Sequence, residues 1–262
     1  MSLEFRHISV KTIADDYLAS FIKCPYSFYY QHLLSFDSHQ VTWKQVVQSV
    51  INHIIQDYHQ LPIYAQHQVS ILELINQHWK SVNPLLFESR IDFYLVLVKT
   101  TDHLLQFLSQ KPSVNPPLFL FEKFECFSGE IEKNLSLTIE VGEWSAQSFT
   151  IKKFLLEAEE GLIHLYKLLL AVFSYLALEK LPEKIEIITL LDGDCHTFSP
   201  TMDHVKEGTK YLQYMKNLFQ HPKSSTHTKP QTEYIGCSFT NKCIDVPTLT
   251  SEPRILPINN FH

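Results

Sequence analysis

The stretch NLSLTIEVGEWSAQSFTIKKFLL, residues 134–156, decides the fold class. In its two halves, 134–141 and 147–156, apolar and polar residues alternate, and β-branched and aromatic types are frequent. That pattern marks strands with one buried face. PLFLFEKFECF (117–127), just upstream, reads the same way, so three strands are expected in succession. The next segment differs in kind: LIHLYKLLLAVFSYLAL (162–178) is almost continuously apolar, and a helix is expected over 160–180. KIEIITLLDG (184–193) then returns to a strand pattern. Strand, helix, strand is the connection that joins parallel strands. The expected class is therefore α/β, a mixed central β-sheet flanked by helices, with a helical N-terminal third.

Working outward, residues 41–59 read as a helix with Val46, Val47, Val50, Ile51, Ile54 and Ile55 on a broad apolar face. Two further helices are expected at 68–82 and 89–110, the second bounded by the KPSVNPP loop. Residues 12–35 also carry helical spacing at Ile13, Tyr17, Phe21, Cys24 and Phe28, with Thr12 as N-cap. Pro25 would tighten that helix or divide it into two. HTFSP leads into a helix at about 201–220, and from His221 onward Pro, Ser, Thr and His dominate an irregular tail. No internal repeat is visible. A single domain over 1–262 is expected: helical over about 1–112, a sheet core over about 113–220, and a cysteine-containing tail over 221–262.

Composition narrows the classes of function. With 262 residues, 45% hydrophobic and 19% charged, the chain can bury a substantial core. Six glycines, with neither GxGxxG nor GxxxxGK[ST], argue against a phosphate-cradling loop. A formal charge of −6 removes any whole-molecule basic field, so a nucleic-acid partner would need a local patch. The start MSLEFRHISV has no apolar secretory region. His164 and Lys167 near the start of the apolar segment favour a buried core helix over a membrane span. Five cysteines without a secretory signal suggest a reducing, cytoplasmic setting, where paired cysteines point to a metal before a disulfide. Most of the 14 histidines are expected to be surface polar residues.

Two motifs stand out. KCPYSFYYQHLL (23–34) places Cys24 beside Pro25 in an aromatic run, and GCSFTNKC (236–243) places Cys237 and Cys243 with five residues between them. Together with the element order, they resemble the RecB-like branch of the PD-(D/E)XK nuclease superfamily, the group that includes the AddB and Cas4 nuclease domains. The likeness spans most of the chain, and its specific parts are the CPYSFYY run and the Cys237–Cys243 spacing. It implies a restriction-endonuclease-like core and metal-dependent phosphodiester hydrolysis on DNA. In such a site carboxylates hold Mg²⁺ or Mn²⁺, the ion activates water, and a lysine stabilises charge on the phosphate.

Carried over residue by residue, the resemblance makes His53 in SVINHII the helical metal ligand, with Ser49 where the family has glycine. Glu122 becomes a strand acid, Glu140 of LTIEV the first motif carboxylate and metal ligand, and Lys153 of FTIKKFL the catalytic lysine. Ile151 then occupies the position of the second carboxylate. Cys24, Cys237 and Cys243 match three positions of an iron–sulfur set, with Tyr234 at the fourth. A [4Fe–4S] cluster, Zn²⁺ with a histidine, and unmetallated thiols are the three alternatives. Cys126 and Cys195 are expected to be small core fillers. Lys152, Lys153, Lys167, Lys206 and Lys210 are candidate nucleic-acid contacts. Two functional readings stay open: an active deoxyribonuclease, or an inactive relative that binds DNA or scaffolds a repair, recombination or defence complex with protein partners and no membrane.

Overall fold

The computed structural model describes residues 12–14, 41–109 and 115–220. They form an α/β fold in the order β1 (Thr12–Ala14), α1 (Trp43–Gln60), α2 (Gln68–His78), α3 (Arg90–Leu108), β2 (Phe119–Ser128), β3 (Lys133–Trp144), β4 (Phe149–Leu155), α4 (Glu160–Leu178), β5 (Lys184–Thr189), β6 (Asp194–Phe198) and α5 (Met202–Gln220). The chain divides into two compact units. One comprises Gln40–Phe124 and Leu137–Val205; the other comprises Met1–His39, Glu125–Ser136 and Lys206–His262.

The first unit holds the mixed sheet and its helices. β3 and β4 are antiparallel, with Val141 opposite Lys152 and Gly142 opposite Ile151. β4 and β5 run parallel, joined through α4, and β5 and β6 form an antiparallel pair. Alternation along the strands then sorts the side chains. Val141, Glu143, Lys152 and Phe154 share one face, and Glu140, Ile151 and Lys153 share the other. Helices α1, α2 and α3 cover the first face: Val47, Val50, Ile51, Ile54, Ile55, Ile71, Val96 and Leu104 form one core with Val141, Phe154, Leu156, Ile188 and Leu190. Tyr166 of α4 lies over Lys153, which puts α4 on the second face.

Local signals explain the helix ends. Thr42 and Gln45 form a reciprocal capping box at the start of α1, and Pro62 follows its end. Ser89 caps α3 through the Asp92 amide. The Tyr58 hydroxyl donates to the Leu108 carbonyl at 3.0 Å, tying α1 to α3. α4 is long and apolar enough to cross a membrane, yet its residues from Leu168 through Ser174 are all buried within the fold. It ends on Glu179 at φ 53°, a left-handed position that glycine usually fills.

In the second unit, β1 pairs in parallel with the start of β3. Lys216 of α5 donates to Glu132 at 2.7 Å. Ile131, Leu135, Leu212 and Met215 are buried.

Three expectations need correction. Thr12 does not cap a helix: Thr12 and the β-branched Ile13 belong to β1, hydrogen-bonded beside Asn134 and Leu135. The remainder of the helix expected over 12–35 lies outside the described residues. The strand expected over 184–193 ends at Thr189, because Gly193 at φ 78° closes a turn and a further strand, β6, returns along β5. Cys195, on that strand, is exposed and does not fill the core.

Candidate functional site

The β3–β4 ladder stops at Val141 and Lys152, although β3 continues as a strand on the N-terminal side of Val141. Beyond that point the strands fork, and the β4 edge loses its backbone partner. Alternate residues of a strand point their N–H and C=O groups to the same edge, so Phe154 and Leu156 are the next groups needing partners. Side chains supply them. Glu140 Oε2 accepts from the Phe154 amide at 2.5 Å. Gln48 of α1 donates to the Phe154 carbonyl at 2.9 Å and accepts from the Leu156 amide at 2.7 Å. Asn52, one turn further along α1, accepts a second hydrogen bond from the Gln48 amide at 2.9 Å.

The other oxygen of Glu140 accepts from Lys153 Nζ at 2.9 Å. This is a buried ion pair, with side-chain exposures of 6% for Lys153 and 7% for Glu140. Lys153 Nζ also stands 4.7 Å from the ring centroid of Tyr166, which closes the fork from the α4 side. Burial of a pair is tolerable here because both charges are hydrogen-bonded. Ile151, on the same face of β4 two residues before Lys153, has 0% exposure.

The remaining residues singled out from the sequence lie elsewhere. His53 is exposed on α1. Its Nδ1 donates to the Ser49 carbonyl at 2.7 Å, and its ring stacks at 5.8 Å on His78, which is itself held by Asp57 at 2.7 Å. His53 and His78 line a groove between α1 and α2 that includes neither Glu140 nor Lys153. Glu122 is exposed on β2, directly after Phe121 at φ 48°. Lys152 points to the opposite face from Lys153 and pairs with Glu143 at 2.8 Å. That pair and His59 line a cavity of about 510 Å³ together with Leu61, Phe107 and Phe154. Burial there pushes His59 down to about 4, against a partial opposing pull from Glu143. Lys167 is half-buried on α4, its Nζ 5.8 Å from the Phe198 ring. Cys24, Tyr234, Cys237 and Cys243 lie outside the described residues.

Glu140 and Lys153 are thus brought together, while His53 and Glu122 do not join them. Among the described residues no group of three or more His, Cys, Asp or Glu side chains is placed to hold one metal ion. The fork in particular does not fit Mg²⁺ or Mn²⁺, which require several converging oxygens. Its one carboxylate is engaged at both oxygens, and its neighbour at position 151 is a buried isoleucine. Gln48, Tyr166 and the Phe154 amide are the parts of the site that sequence reading misses. The one local hint is that Gln48 and Asn52, four residues apart, flank the apolar stripe of α1. No protein-family model matches the chain, and no curated protein is significantly similar to it.

Proposed function

We propose that this protein is a catalytically inactive relative of the PD-(D/E)XK nucleases, working in the cytoplasm as a binding or scaffolding subunit of a DNA-processing assembly. The observation that carries the reading is the closed fork. Glu140 is neutralised by Lys153 and bonded to the β4 backbone, with Ile151 in place of a second acid. A phosphodiester needs a cation and an activated water at such a site, and this arrangement offers neither an open oxygen set nor room at position 151. The lysine and carboxylate that resemble catalytic groups act as structural partners instead.

Protein contact is better supported than broad electrostatic attraction to DNA. The chain carries a net charge of −6, and Lys152 is already paired with Glu143. A DNA contact would rest on a few cations, the half-buried Lys167 and the exposed Lys206 and Lys210. The cysteines at 24, 237 and 243 fit this reading as ligands that fasten distant parts of the chain around a [4Fe–4S] cluster or Zn²⁺. Iron and zinc analysis of anaerobically purified protein separates these two from free thiols.

The deciding experiment incubates the purified protein with single- and double-stranded DNA in Mn²⁺ and in Mg²⁺, beside a Glu140→Gln variant. Equal, background-level cleavage by both supports an inactive fork. Cleavage by the wild type that disappears in Glu140→Gln would overturn it. A mobility-shift titration on the same DNA reports binding independently of cutting.

A further inference from the structure

Helix α3 carries an apolar stripe that nothing among the described residues covers. Ile91 is 71% exposed, Tyr94 60%, Leu95 53% and Val98 63%. They sit on one helix at spacings of three, one and three residues, within an arc of about 100° at 3.6 residues per turn. The opposite side of the same helix, Phe93, Val96, Thr100 and Leu104, is buried in the core. The helix is therefore apolar on two sides, and solvent faces one of them. Contiguous exposed apolar surface of this kind marks an interaction site.

We propose that the occupant is a second copy of the same chain, with two α3 helices packed antiparallel across a two-fold axis. The spacing is the first reason. Positions 91, 94, 95 and 98 are symmetric about the midpoint between 94 and 95. An antiparallel copy sets Ile91 against Val98 and Tyr94 against Leu95, twice over, which is the self-complementarity a two-fold interface requires. Charge is the second reason. Asp92 and Lys99 are seven residues apart, two turns along the helix, and so share one flank of the stripe. Under the same axis, Lys99 of one copy falls opposite position 90 of the other. That is about 3 Å along the helix from the second copy's Asp92. Each dimer then gains two such pairs at its rim. In a parallel two-fold arrangement the flanks exchange, so Asp92 of one copy and Lys99 of the other would form no such pair; it is the antiparallel arrangement that brings them together.

Area sets the strength. The four-residue stripe is small against the roughly 800 Å² that each partner of a standard interface buries, so the dimer is weak and reversible. Tyr94 at the centre is the residue type that contributes most in such patches.

The test is sedimentation velocity on the full chain from low to high micromolar concentration, with a thermal melt of each variant to establish folding. The wild type is expected to shift from monomer towards dimer with concentration. Leu95→Glu should weaken self-association by roughly tenfold or more while melting as the wild type does, because that side chain lies outside the core. Lys99→Asp should also weaken it, and adding Asp92→Lys to that variant should restore it. A wild type that stays monomeric throughout would overturn the proposal and leave the stripe to a different protein. So would a Leu95→Glu variant that dimerises as the wild type does, or a charge-swapped double variant that fails to recover.

Discussion

Removing one member of the Glu140–Lys153 pair should cost far more than removing both. The two side chains are 7% and 6% exposed and 2.9 Å apart. Lys153→Met leaves a buried carboxylate with only the Phe154 amide as partner, a change that typically costs about 3–5 kcal/mol. Glu140→Gln retains an acceptor for that amide but leaves the buried ammonium facing an uncharged group, with a penalty of about the same size. The double variant Glu140→Gln, Lys153→Met keeps the Phe154 hydrogen bond and sets an apolar chain under Tyr166. Its expected cost is about 1–2 kcal/mol, because replacing a buried pair by groups of similar volume is often near neutral. Urea unfolding at neutral pH, fitted for midpoint and slope, gives all three values on a common scale. The coupling between the two sites should therefore be several kcal/mol. Single substitutions that each cost less than about 1 kcal/mol and add independently would refute the idea that the pair closes the fork.

Three further outcomes follow from other parts of the same unit. Gln48→Ala strips partners from the Phe154 carbonyl and the Leu156 amide; it should destabilise by about 2 kcal/mol in the same assay and speed hydrogen exchange at the Leu156 amide. His59 titrates near 4 when folded against an ordinary value of 6.5, so the unfolded chain binds the extra proton between those limits. Stability should be complete above pH 6.5 and fall by on the order of 3 kcal/mol down to pH 4, and a His59→Gln variant should lack that part of the pH slope. Gly193→Ala combines a left-handed φ of 78° with a Cβ only 2.4 Å from His103 Nε2, so a thermal melt should show a loss of at least about 2 kcal/mol.

The elements with strong periodicity were legible from the sequence alone. Helices α1, α3 and α4 and strands β3 and β4 fall within a few residues of their expected places, since each buries a face whose spacing is written in the chain. β2 also falls in its expected place, although Ser128 alone of its residues is buried. β6 escaped because DCHTF is a short strand with mostly exposed and half-exposed residues, and exposure removes the apolar alternation that reveals a strand. Thr12–Ala14 escaped because three residues cannot declare a period. The adjacency of Glu140 and Lys153 was suggested by resemblance, and strand parity agrees with it. The fork itself had no local signal. It depends on where a ladder stops, which is a property of two strands and a helix together, and Gln48 and Tyr166 become meaningful only in that context.

The closing of the fork also bears on how the chain reaches its fold. Gln48 meets Phe154 and Leu156 across 106 and 108 residues of sequence. The open edge of β4 is therefore completed by a helix made long before it in the chain. Neither α1–α3 nor the sheet can be cut out and expected to stand alone: the helices would lose the surface that buries Val50 and Ile54, and β4 would keep a bare Phe154 carbonyl and Leu156 amide on its edge. Contacts of such long separation are slow to form, because much of the chain must be ordered before they stabilise anything. During synthesis, the helical segment must wait for residue 156 before its polar contacts can close.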